Sequence, residues 1–82
     1  MNIKEVVNDP EWQTIRKSFV GTWKFHPEAN CNVLRTYLGD FSDPLKLRRV
    51  HNYLTGSGFR IGIISHPEID KLLNEVRKSR SK

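Results

Sequence analysis

Among the side chains able to do chemistry, Arg48, His51, Asn52 and Thr55 form the densest group, within the stretch DPLKLRRVHNYLTGSGFRIG at residues 43–62. That stretch carries four positive charges, Lys46, Arg48, Arg49 and Arg60, and no acid follows Asp43 until Glu68. At the turn angle of an α-helix, Arg48, His51, Asn52 and Thr55 project opposite Leu47, Val50 and Leu54, with Arg49 at the margin. Arginine and asparagine match guanine and adenine edges in a DNA major groove, and lysine or arginine around them would neutralise phosphates. The competing reading is an ordinary amphipathic helix, whose outer face must carry polar residues in any case. The long acid-free span favours a binding face.

Other chemistry finds less support. Thr55-Gly56-Ser57-Gly58 follows the basic stretch, and successive N–H groups at such a turn can cradle an anion, with Arg60 assisting. No Gly-Lys-Ser/Thr follows, so it is not a nucleotide-binding P-loop, and its setting does not suit a nucleophile elbow. A helix end followed by a flexible turn is the commoner meaning. His26, Cys31, His51 and His66 lack the close paired spacing of metal ligands, so no metal or other cofactor is expected. Cys31 shares a helical face with Leu34 and Leu38, which suits a small buried hydrophobe rather than a nucleophile. Most carboxylates fall at helix starts, where they face the positive end of the helix dipole, and no acid–base pair stands out. No catalytic residue is expected, and the chain reads as a non-enzyme.

Composition sets the limits. With 82 residues, 37% apolar and 28% charged, the chain reads as a single domain, 1–82, neither disordered nor membrane-embedded. No apolar run approaches a bilayer span, and Lys4, Glu5, Asn8 and Asp9 interrupt any signal-peptide core. The lone cysteine makes no internal disulfide, so a reducing, cytoplasmic setting is the expectation. A net charge of +5 favours polyanionic partners and no membrane.

Prolines organise what positions the basic group. Asp9-Pro10-Glu11, His26-Pro27-Glu28, Asp43-Pro44-Leu45 and His66-Pro67-Glu68 each suit a helix start, because proline's missing N–H would be unpaired there anyway. Four helices are therefore expected near residues 10, 27, 44 and 67, with Gly21, Gly39 and Gly56 closing the first three. Each carries an apolar stripe: Trp12, Ile15 and Phe19; Cys31, Leu34 and Leu38; Leu47, Val50 and Leu54; Ile69, Leu72, Leu73 and Val76. Residues 22–25 and 59–64 are rich in strand formers and are expected to pair with each other as a two-stranded element, or with residues 2–7. The fold class is then α+β, mainly α. Helix, strand, helix occurring twice hints at an internal duplication, and Arg77 to Lys82 reads as a frayed basic tail.

The segment VLRTYLGDFSDPLKLRRVHNYL resembles a helix-turn-helix in outline: a helix, a glycine, a short polar connection and a basic second helix. It departs from the pattern at Arg35, where a small apolar residue normally stands, and at Pro44, which starts the second helix late. The expectation is a DNA-binding, regulatory or accessory protein, acting as a homodimer if it reads paired half-sites. Arg48, His51, Asn52 and Thr55 would face bases, while Lys46, Arg49, Arg60 and the Gly56–Gly58 turn with Ser57 would face phosphates. The alternative is a protein-interaction module that meets an acidic protein partner with the same basic face.

Overall fold

The structure, a computed structural model, describes residues 8–56 and 66–80. These residues form four helices, each beginning at a proline: α1 Pro10–Ser18, α2 Pro27–Leu38, α3 Pro44–Thr55 and α4 Pro67–Arg80. Local chemistry explains the starts. The carboxylates of Asp9 and Asp43 accept first-turn N–H groups, from Glu11 at 3.0 Å and from Leu45 at 2.9 Å. At α4 an imidazole does the same job: His66 Nδ1 accepts from the Glu68 N–H at 3.1 Å, which requires Nδ1 to be unprotonated. At the end of α2, Gly39 takes φ +60° and donates its N–H to the Arg35 carbonyl at 2.9 Å. Phe41, two residues on, holds φ +61° without being a glycine, at a cost of about 1–2 kcal/mol.

The expected stripes converge on one core, in which Trp12, Phe19, Trp23, Leu34, Val50 and Leu72 are all buried. The Trp12 ring stacks on Tyr37 of α2 at 5.3 Å and meets Tyr53 of α3 edge-on at 5.7 Å. This aromatic group fixes α1 across α2 and α3. On the other side α4 packs closely against both α3 and α2, which touch each other more sparingly.

The α+β expectation is corrected to all-α: among the described residues there is no strand. Residues 22–25 form consecutive turns, in which the N–H groups of Phe25 and His26 donate to the Thr22 carbonyl at 3.0 and 2.8 Å. Strand propensity largely measures packing of bulky side chains, and here packing chose another backbone. Trp23 is drawn into the core against Phe19, and its indole N–H donates to the Tyr53 hydroxyl at 2.8 Å. Phe25 stands 73% exposed while Trp23 is 6% exposed, so the two do not share a face as they would in a strand. The second expected strand, 59–64, lies outside the described residues. The repeat of helix, strand, helix therefore loses its strand in the first half. At the other end, α4 continues through Arg80, so Arg77, Lys78 and Arg80 form its last turn. No helix among the described residues is long and apolar enough to cross a membrane.

Candidate nucleic-acid interface

Helix α3 presents a narrower outer ridge than its sequence suggests. Arg48 and Asn52 are exposed, one helical turn apart, and Leu45, His51 and Thr55 beside them are half-buried. The Thr55 hydroxyl donates to the His51 carbonyl at 2.8 Å, within the helix. The His51 ring leans inward, with a buried Nδ1 that has no hydrogen-bond partner among the described residues. Burial first, and then the charges of Arg80 and Arg77, holds its imidazole below the ordinary histidine value, so the neutral form is favoured.

Two residues expected to meet phosphates are engaged elsewhere. Arg49 is only 8% exposed, with Nη1 3.3 Å from Asp9 Oδ2 and donating to the Tyr37 hydroxyl at 3.3 Å. The physical reason is tertiary. Docking of α1 and α2 on that flank of α3 brings the Asp9 cap and Tyr37 over what a lone helix would leave open. Tyr37 also donates its hydroxyl to Asp9 Oδ2 at 2.7 Å, closing a three-member network between the start of α1, α2 and α3. The Tyr37 bond, the Glu11 N–H and the Arg49 charge hold the Asp9 carboxyl below its ordinary value despite some burial. Lys46 is half-buried: its Nζ donates to the Tyr37 carbonyl at 3.3 Å and lies 4.9 Å from the centre of that ring. Ser57, Gly58 and Arg60 lie outside the described residues.

What α3 loses on one flank it gains on the other. The last turn of α4 lies beside the first turn of α3, so that Ser79 and Arg80 share a cleft with Arg48 and Leu47. Arg77, Lys78 and Arg80 are exposed on that turn, and Arg80 lines the cleft itself. These cations belong to a helical surface rather than a frayed tail, and nothing local in the sequence says which helix they meet. The signal that could have found them is the basic run Arg77, Lys78, Arg80 and Lys82, which no acid interrupts.

The helix-turn-helix outline also acquires a geometry. Residues 39–43 separate α2 from α3, longer than the 3–4 residues usual for that turn. Arg35 points toward α4, where it pairs with Glu68 at 3.4 Å and Glu75 at 3.3 Å. The pairing helps tie α2 to α4, which lies against both helices of the pair. Taken together, the exposed face has Arg48 and Asn52 as its ridge and the cations of the α4 end as its flank. Comparison with known proteins returns no relative for this arrangement: no family model, no curated protein and no solved structure matches the chain.

Proposed function

We propose that the protein is a non-enzymatic nucleic-acid-binding module that docks duplex DNA on the outer face of α3 and α4. The observation that carries this reading is the exposed Arg48–Asn52 pair, one helical turn apart and flanked by the Arg77, Lys78 and Arg80 turn. From that ridge Asn52 can make two hydrogen bonds to an adenine edge, while Arg48 and the flanking cations neutralise backbone phosphates. Arg49 and Lys46 take no part, because their charged ends are committed to Asp9 and Tyr37.

Fluorescence anisotropy with a random-sequence duplex tests the proposal. Three or four phosphates neutralised by Arg48, Arg77, Lys78 and Arg80 imply a salt slope of about −2.7 to −3.6. Affinity should then fall roughly 40- to 150-fold between about 50 and 200 mM salt. No binding at the lower salt would transfer the surface to the other partner its charge fits, an acidic protein face.

A further inference from the structure

The cleft between the start of α3 and the end of α4 encloses about 480 Å³, in the size range of small-ligand sites. Phe41 and Leu47 give it an apolar floor and Ser79 adds a hydroxyl, while the Ser42 hydroxyl is taken up by Asp40. Its charged walls are Arg48 and Arg80. We infer that this cleft is a phosphate-binding site, in which Arg48 and Arg80 hold one phosphate group between them. The inference deepens the nucleic-acid reading and rests on it only for the source of the phosphate, a backbone diester rather than a free monoester.

The treatment of arginine elsewhere in the fold supports this. Arg35 is matched by Glu68 and Glu75, and Arg49 by Asp9. Arg48 and Arg80 face a common cleft, and neither has an acid partner among the described residues. Two like charges on one cleft repel each other, and an anion bound between them turns that repulsion into attraction. Among the described residues Asp40 is the one acid lining the cleft, and its carboxylate is taken up by the N–H and hydroxyl of Ser42. Two guanidinium groups against one engaged carboxylate leave the cleft positive. Guanidinium suits the task because its planar fork makes paired hydrogen bonds to phosphate oxygens. The apolar floor removes part of the competing water, which strengthens the attraction. On this assignment Arg48 grips the backbone, and Asn52 is left as the base-facing residue of the ridge.

Side-chain Nε–Hε NMR spectra of the full chain, titrated with inorganic phosphate and separately with a nucleoside 5′-monophosphate, test the site. The Arg48 and Arg80 signals should move together, with one dissociation constant, while Arg16 on α1 stays still. Arg80→Ala, a change at an exposed helix end, should leave the melting temperature unchanged and weaken phosphate binding at Arg48 by about tenfold. With duplex DNA the same variant should reduce the salt slope by about one. Shifts with phosphate or nucleotide but no binding to DNA would keep the site, make its ligand a free monoester and remove the DNA reading. DNA binding indifferent to Arg80→Ala, with no arginine shift in phosphate, would remove the site and leave the DNA reading intact. Absence of both overturns both.

Discussion

Arg48 and Arg49 are neighbours in sequence with opposite structural duties, and replacing each by alanine should separate them by several kcal/mol. Arg48 is exposed and has no acid partner among the described residues, so Arg48→Ala should change stability by less than about 0.5 kcal/mol. Arg49 is 8% exposed and 3.3 Å from Asp9 Oδ2, and it donates to the Tyr37 hydroxyl. Removing one member of a fully buried ion pair costs about 3–5 kcal/mol, because the other charge is left uncompensated. The Asp9 side chain keeps 22% of its surface in water and retains its Tyr37 bond, which lowers the expected cost to about 2–3 kcal/mol. For a domain of this size that is roughly 10–20 °C in Tm. Thermal and urea melts followed by circular dichroism would measure it. A double-mutant cycle with Asp9→Asn and Arg49→Met should return a coupling of about 1 kcal/mol or more. If Arg49→Ala melts with Arg48→Ala and the parent, the network does not exist and the orientation of α3 is wrong.

Three further outcomes follow from the same contacts. The Asp9 carboxyl is held below its ordinary value, so the stability it contributes is complete above the unfolded pKa of about 3.9 and lost as pH falls through the lower folded value. Urea melts between about pH 5 and pH 2 should therefore weaken less steeply in Asp9→Asn than in the parent, and equal slopes would refute the assignment. Burial pushes the Cys31 thiol up to about 11, so a disulfide reagent at neutral pH should label it only as fast as the chain unfolds. Rapid labelling of folded protein would show that α2 does not bury it. Leu47→Ala and Leu54→Ala should each cost about 2–5 kcal/mol, against less than about 0.5 kcal/mol for Asn52→Ala, and melts giving similar values for all three would contradict the α3 core face.

How far the molecule could be read from its residues depended on the range of the physics involved. Helix starts at 10, 27, 44 and 67 were legible because proline and the capping residue before it act within one turn. The core stripes were legible because helical periodicity is also local. Residues 22–25 misled because aromatic residues favour strands only where the pleated surface buries them, whereas Trp23 found its burial through Phe19 and Tyr53. Arg49 misled for a related reason: its ion-pair partner Asp9 and its hydrogen-bond partner Tyr37 lie 40 and 12 residues away. The cleft was invisible from the chain, since only the pairing of α3 with α4 brings Arg80 beside Arg48.

The most direct test of the proposed interface is an amide chemical-shift map of the labelled protein as a short DNA duplex is added at low salt. The account predicts that shifts gather at Arg48, Asn52 and the Arg77–Arg80 turn, and that they spare Arg49 and the aromatic group around Trp12. Shifts centred on the turn at Val20 and Phe25, or no shifts at all, would contradict it.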